Sequence, residues 1–123
     1  MSVLPFNVTE SGVLIIRVRA DLDIAGRAAA AWEIDGYLAA HRSAPVMLEL
    51  SDAPLSTAAV STVVRTQRMC RSAGTPLAVL AATAETRRAL KAHTGAEGLA
   101  VEPTLSLAAA ALSAASTPVA TAA

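Results

Sequence analysis

The feature that most constrains this chain is a regular alternation of short apolar segments with longer amphipathic ones. Aliphatic residues dominate 13–19, 44–50, 75–81 and 99–102, and stretches of helical periodicity separate these four segments. A helix between two strands of one sheet makes a right-handed crossover and leaves the strands parallel. Segment 5–9 is also predicted to be a strand, and only a short turn separates it from 13–19. These two strands are therefore predicted to form an antiparallel hairpin.

The predicted order of elements is therefore β-β-α-β-α-β-α-β-α, an α/β fold. We expect a mixed sheet of about five strands, with an N-terminal hairpin and a parallel centre, and about four helices mostly on one side of it. The first helix is predicted to follow a cap at 21–23 and to end at about His41, and the second to run from about Thr57 to a stop at Gly74. The third runs from Thr83 to an end at Gly95, and the fourth from about Thr104 to Leu112. We expect one domain over 1–115 and a disordered tail rich in Ala, Ser, Thr and Pro at 116–123.

Composition limits the classes of function. The 123 residues suffice for one core, and 54% are apolar but only 2% aromatic, so the core is built from small aliphatic side chains. Ten basic and ten acidic residues cancel, which argues against a generic nucleic-acid binder. Locally, 65–91 contains six basic residues and one acidic residue. That segment is either a solvated face or the footprint of an acidic partner.

The remaining composition indicates a cytoplasmic protein. The single cysteine, Cys70, fits a reducing compartment and is predicted to be a buried structural thiol. We find no secretory signal at the N-terminus and no apolar run long enough for a membrane span. Trp32 stands two residues from the core position Ile34, so it faces away from the core stripe. It either packs against a neighbouring loop or contacts a partner.

No pattern in the chain favours an enzyme. His41 and His93 are predicted at helix ends, with no motif that places either beside a nucleophile. The chain shows no Gly-rich phosphate loop, no metal-ligand spacing and no paired carboxylates, so we expect no cofactor and no metal. Asp21 and Asp23 are interpreted as turn or capping residues.

The adjacent hydroxyls of Ser56 and Thr57 follow a buried strand and begin the second predicted helix. One interpretation is an N-cap, in which a hydroxyl oxygen accepts a hydrogen bond from a free N–H of the first turn. The other is a phosphoacceptor, because a dianionic group there would meet the positive end of the helix dipole. The outer side of this helix carries Thr57, Ser61, Arg65 and Arg68, a polar and cationic ridge. Its predicted apolar arc comprises Ala59, Val60, Val63, Val64, Gln67 and Cys70.

Three short sequences, together with the order of elements, resemble a STAS domain of the anti-sigma factor antagonist type. They are Ala-Asp-Leu-Asp at 20–23, Leu-Glu-Leu-Ser at 48–51, and Arg-Arg-Ala-Leu-Lys-Ala-His-Thr-Gly at 87–95. The likeness spans roughly 3–112. It implies a regulatory domain that binds an anti-sigma factor, which is also a serine/threonine protein kinase, and is released when that kinase phosphorylates it. The resemblance leaves the oligomeric state open, a homodimer included.

The family's loop reads Asp-Ser-Ser-Gly, and this chain departs from it. The resemblance places Ser56 at the aspartate, Thr57 at the phosphoacceptor, Ala58 at the second serine and Ala59 at the glycine. A shift of one residue makes Ser56 the acceptor instead. The implied partner surface comprises Asp21, Asp23, Ser56, Thr57, Ala58, Ser61, Arg65 and Arg68. The alternative that the degenerate loop leaves open is a STAS accessory subunit that docks on the ATPase of an ABC-type lipid transporter without phosphorylation.

Overall fold

Helices and strands alternate along the chain in the predicted order. The fold is that of a computed structural model, which describes residues 4–94 and 98–116. Its elements are β1 (Phe6–Val8), β2 (Leu14–Val18), α1 (Ile24–Ala40), β3 (Val46–Leu50), α2 (Thr57–Ala73), β4 (Leu77–Leu80), α3 (Ala84–Thr94), β5 (Ala100–Glu102) and α4 (Leu105–Ser116). The strands are slightly shorter than predicted, and α4 continues past the predicted end at Leu112. Ser116, predicted as the first residue of the tail, is the last residue of α4, and the predicted stop at Gly95 and residues 117–123 of the tail lie outside the described residues.

The strands of the described residues form one sheet in the order β1-β2-β3-β4-β5. β1 and β2 are antiparallel, with Phe6 opposite Ile16, and each later pair is parallel. This mixed sheet confirms the predicted hairpin and parallel centre. Because all the later crossovers join neighbouring strands, the loops that follow β2 and β3 lie side by side at the carboxyl edge of the sheet.

The two faces of the sheet carry different helices. Leu14, Ile16 and Val18 alternate with Ile15 along β2, and side chains of the first set join a core with α1, α2 and α3. Ile15 joins a smaller cluster on the other face with residues of α4. The prediction that the helices lie mostly on one side is therefore confirmed. Parallel strands covered on both faces are apolar throughout, which explains their continuous aliphatic sequences.

Helix α2 buries a face that differs in part from the predicted one. Thr62 and Thr66 are buried, and their hydroxyls donate to backbone carbonyls four residues earlier, of Ala58 at 2.9 Å and of Thr62 at 2.8 Å. These bonds satisfy the hydroxyls, so the two threonines enter the core at little cost. Val60 and Val64, which we predicted in the apolar arc, are only half-buried.

Two glycines provide a matched test of the backbone. Gly74 ends α2 with φ +71°, a left-handed conformation that an L-residue adopts at a cost, whereas Gly36 lies in regular helix with no atom near an added Cβ. We expect Gly74→Ala to lower the free energy of unfolding by about 1 kcal/mol and Gly36→Ala to raise it by about 0.5–1 kcal/mol. Urea denaturation followed by circular dichroism measures both. Equal effects of the two variants would contradict the assignment of the α2 end.

Candidate functional site

The β3–α2 loop, residues 51–56, is attached to the β2–α1 loop, residues 19–23, through both backbone groups of Ala20. The Ala20 N–H donates to Ser51 Oγ at 2.8 Å, and the Ala20 carbonyl accepts from the Ser56 N–H at 2.8 Å. The Ser51 N–H also donates to the Val18 carbonyl, at 3.1 Å. Ala20 is buried, so these bonds remove polar backbone groups from water without leaving them unpaired. The junction that starts α2 is thus held at a defined place.

Ser56 is the N-cap of α2. Its backbone is extended, with φ −89° and ψ 162°, and its Oγ accepts from the Ala59 N–H at 3.0 Å. The same hydroxyl donates its proton to the Leu22 carbonyl in the β2–α1 loop. Both the donor and the acceptor function of Ser56 are therefore used inside the protein, and its side chain is half-buried. The capping interpretation of this pair of hydroxyls applies to Ser56.

Thr57 has a different environment from its neighbour. It is the first residue of α2, its side chain is exposed, and its hydroxyl has no hydrogen-bond partner among the described residues. The N–H groups of the first helical turn lie beside it and give this end of α2 a positive partial charge. The outward orientation predicted for position 57 agrees with the structure. Of the two hydroxyls, Thr57 is the one that an enzyme can reach without breaking a capping bond.

The two aspartates of the β2–α1 loop also have separate roles. Asp23 is the N-cap of α1, where its Oδ1 accepts from the Gly26 N–H at 2.7 Å. Asp21 is exposed and makes a bidentate ion pair with Arg19, at 3.0 and 3.1 Å. The hydrogen bonds to Arg19 lower the pKa of Asp21 below its usual value. Asp21 therefore lies beside the start of α2 with its charge balanced by Arg19. Asp23 caps α1.

The predicted cationic ridge on α2 is only partly present. Arg65 turns toward α1 and makes a bidentate pair with Asp35, at 2.7 and 3.0 Å, and these hydrogen bonds raise its pKa. Ser61 is half-buried, whereas Arg68 is exposed and has no ion pair or hydrogen bond within 4–94 and 98–116. The sequence could not distinguish the two arginines, because the partner of Arg65 is thirty residues away on another helix.

Ala58, which we predicted to touch a partner, is 3% exposed. The structure turns its methyl group into the core, so its side chain offers no surface to another protein. Val60 and Val64, which we predicted in the apolar arc, are half-buried beside the ridge instead. A half-buried valine cannot be told from a core valine by periodicity, because both fall at the boundary of the same helical arc.

The described residues contain no group of three or more His, Cys, Asp and Glu placed to bind a metal ion. His93 Nδ1 lies 2.9 Å from the Ala89 carbonyl, near the end of α3 away from the junction. Cys70 is buried, and the loss of solvation raises its thiol pKa to about 11. A thiol with that pKa is protonated at neutral pH and is a poor nucleophile. Within the described ranges, no helix is long and apolar enough to span a membrane.

The family model named STAS domain matches residues 7–108 of the chain, from β1 into the first turn of α4. The chain belongs to the STAS domain family. This match confirms the resemblance to a STAS domain, and the fold predicted from the alternation of strands and helices is the one observed. A search of the curated proteins finds no match to this STAS domain.

Two proteins with solved structures share the fold. A variant of RsbS from Moorella thermoacetica, with serine replaced by glutamate, gives a TM-score of 0.76 at 12% identity, over 92% of this chain and 97% of its own. The NMR structure of the protein TM1081 gives a TM-score of 0.70 at 19% identity, over 89% of this chain and 88% of its own. Its crystal structure, of a Thermotoga maritima protein proposed to be an anti-sigma factor antagonist, gives 0.70 at 16% identity, over 89% and 94%.

The separation of roles at the junction predicts unequal effects of removing the two hydroxyls. Ser56→Ala removes the N-cap and leaves the Leu22 carbonyl without its donor, so we expect it to lower the free energy of unfolding by about 1–2 kcal/mol. Thr57→Ala removes no internal hydrogen bond and should change it by less than about 0.5 kcal/mol. Chemical denaturation of both variants measures the difference. A Thr57→Ala variant as unstable as Ser56→Ala would show that Thr57 is structural.

Proposed function

We propose that this STAS domain is a regulatory binding module of the anti-sigma factor antagonist type, without enzymatic activity of its own. In this proposal it binds an anti-sigma factor that is also a protein kinase, and its docking surface surrounds the start of α2. The single observation that carries the proposal is the hydroxyl of Thr57, which is exposed and makes no hydrogen bond to the described residues, on a junction that hydrogen bonds hold in place. A rigid scaffold with one free nucleophilic oxygen is what a modification switch requires.

The docking surface combines hydroxyl, charged and apolar side chains. Thr57 and Arg68 are exposed, Ser61, Val60 and Val64 are half-buried, and Asp21 lies in the neighbouring loop. The valines supply apolar area that a partner can cover, and the polar residues around them set the orientation of the partner. Ser56 and Ala58 support this surface as cap and core, the exposed Asp23 caps α1, and Arg65 fixes α2 to α1 through Asp35.

In the proposed switch, the kinase transfers the γ-phosphoryl group of ATP to Thr57 Oγ1. The new P–O bond replaces the hydroxyl O–H, the proton leaves to a base of the kinase, and ADP is released. The phosphate adds a charge of about −1.5 to −2 and is stabilised by the dipole and the free N–H groups of the first turn of α2. The fold is therefore retained while the charge of the docking surface changes, and a partner fitted to the neutral surface dissociates.

The absence of an acidic residue before Thr57 favours a second candidate function. Ser56 occupies the position directly before Thr57 and is used as a cap, so the carboxylate of the family pattern is missing from that position. The same surface could then dock on the ATPase subunit of an ABC-type lipid transporter with no phosphorylation. Incubation with ATP and purified candidate anti-sigma kinases, followed by mass spectrometry, separates the two functions.

For the switch, we expect the wild type to gain the mass of one phosphoryl group and Thr57→Ala to gain none. Thr57→Ser keeps a hydroxyl at the same place and should still be phosphorylated, and Ser106→Ala, on α4 across the sheet, should behave as wild type. Phosphorylation that persists in Thr57→Ala and disappears in Ser56→Ala would move the acceptor to Ser56. No mass gain with any candidate kinase, together with co-purification of a transporter ATPase, would favour the second function.

A permanent charge at position 57 should imitate phosphorylation. We expect Thr57→Glu to weaken binding of the anti-sigma factor at least about tenfold, because a carboxylate would be buried in an interface fitted to a neutral side chain. Ser106→Glu is the matched control, since it adds the same charge to the first turn of α4 on the opposite face of the sheet. Isothermal titration calorimetry measures both affinities. Equal binding by Thr57→Glu and wild type would show that charge at this position is not the control.

The two arginines of α2 should differ in their effect on binding. Arg68 has no ion pair in the part of the chain that the structure describes, so we expect Arg68→Ala to weaken association with an acidic partner and to reduce its dependence on salt. Arg65→Ala removes an exposed pair with Asp35 and should lower the free energy of unfolding by less than about 1 kcal/mol. Association rates measured between low and high salt test the first effect. A salt dependence that Arg65→Ala changes more than Arg68→Ala would place the partner on the α1 side.

A further inference from the structure

The solvent side of α1 is unusually apolar. Trp32 is 78% exposed and Ile24 is 75% exposed. The other residues of this side are small and also exposed, namely Ala25, Ala28, Ala29, Gly36, Ala39 and Ala40. We call these eight residues the α1 outer face. A surface helix normally places polar residues toward water, and an exposed apolar patch with a central tryptophan is typical of an interaction site. The exposure of Trp32 also excludes the alternative that it packs against a neighbouring loop.

Helix α1 carries three charged residues, of which Glu33 and Asp35 are already paired and Arg27 is exposed. Glu33 accepts a hydrogen bond from the Leu4 N–H, and Asp35 is bound to Arg65. The chain as a whole carries no net charge. Two copies of the α1 outer face can therefore approach each other without repulsion between like charges, and an uncharged protein has little electrostatic resistance to self-association.

An apolar groove lies beside Trp32, between α1 and the N-terminal segment. Its lining includes Leu4, Pro5, Leu22, Ala29 and Tyr37. The two arginines that reach it, Arg17 and Arg19, are bound to Glu49 and Asp21, so the groove is not arranged to select an anion. A bulky apolar side chain fits its chemistry, and the exposed indole of Trp32 is such a group on the same surface.

The α1 outer face is complementary to itself when two copies are antiparallel. Trp32 is the middle residue of the 17-residue helix, so a two-fold axis beside it places Ile24 opposite Ala40 and Ala28 opposite Gly36. Ile24, a large residue, then packs against the small Ala40. Ala28 and Gly36 are both small, so they allow the two helix backbones to approach closely. The two tryptophans lie next to the axis, where each can enter the groove of the other copy. Such a contact closes on itself and does not propagate into filaments.

We propose that the α1 outer face is the interface of a symmetric homodimer in which each Trp32 occupies the apolar groove of the second copy. The surface is separate from the one that begins at Thr57, so the dimer does not depend on the proposed function. Two helices of about 25 Å each bury less area than the standard interface of about 1,600 Å². Interfaces of that size are typical of weak, transient association, and we expect a dissociation constant in the micromolar range.

The chain contains a single tryptophan, so its tryptophan fluorescence reports on the surroundings of Trp32 alone. Sedimentation velocity and tryptophan emission are recorded from about 1 to 500 μM, a range that brackets micromolar affinity. We expect the sedimentation coefficient to rise from monomer to dimer, and the emission to shift to shorter wavelength over the same concentrations. The indole leaves water only if Trp32 is at the interface, so a dimer with unshifted emission would overturn the proposal. A chain that stays monomeric at the highest concentration would overturn it as well.

Ala28→Glu tests the face itself, because it places a carboxylate opposite Gly36 of the second copy at an exposed helical position that tolerates it. We expect the dissociation constant to increase at least about tenfold, with an unchanged circular dichroism spectrum. Ala92→Glu is the matched control, since Ala92 is an exposed alanine of α3, and it should dimerise as the wild type does. Equal dimerisation of Ala28→Glu and wild type, or equal weakening by both variants, would place the contact elsewhere.

Discussion

Hydrogen bonds between two neighbouring loops determine the geometry of this STAS domain's candidate site. The backbone of Ala20 bonds to Ser51 through its N–H and to Ser56 through its carbonyl, and the Ser56 hydroxyl reaches the Leu22 carbonyl. Buried backbone groups must be paired, so the two loops cannot separate without leaving donors and acceptors unsatisfied. The start of α2 is placed by these bonds, and the position of Thr57 follows from the start of α2.

The adjacent hydroxyls illustrate how one loop can combine structure and regulation. Ser56 uses its oxygen to accept from the helix and its proton to bind the other loop, whereas Thr57 uses neither. Modification of Ser56 would break a capping bond, and modification of Thr57 would change only the surface. In the proposed switch, this difference lets phosphorylation alter the charge that a partner meets while the fold beneath it stays the same.

Fewer basic side chains are available to a partner than the count of basic residues in the sequence suggests. Six basic residues fall within 65–91, but Arg65, on the outer side of α2, is paired with Asp35. Paired cations contribute little to the field that a distant partner experiences. The proposed docking surface therefore depends on Arg68 and on half-buried valines, and the uncharged α1 outer face stands apart from it.

The sequence alone determined the order of elements, the mixed sheet, the end of α2 at Gly74 and the orientation of Trp32, because hydrophobic period and capping chemistry act over a few neighbouring residues. It also placed the candidate acceptor at a strand-to-helix junction. Only the tertiary structure decided that Ser56 caps while Thr57 stays free, that Ala58 is buried, and that Arg65 is neutralised. These properties depend on Ala20, Leu22 and Asp35, which lie about thirty residues away or more in sequence, and local patterns carry no information about such distant partners.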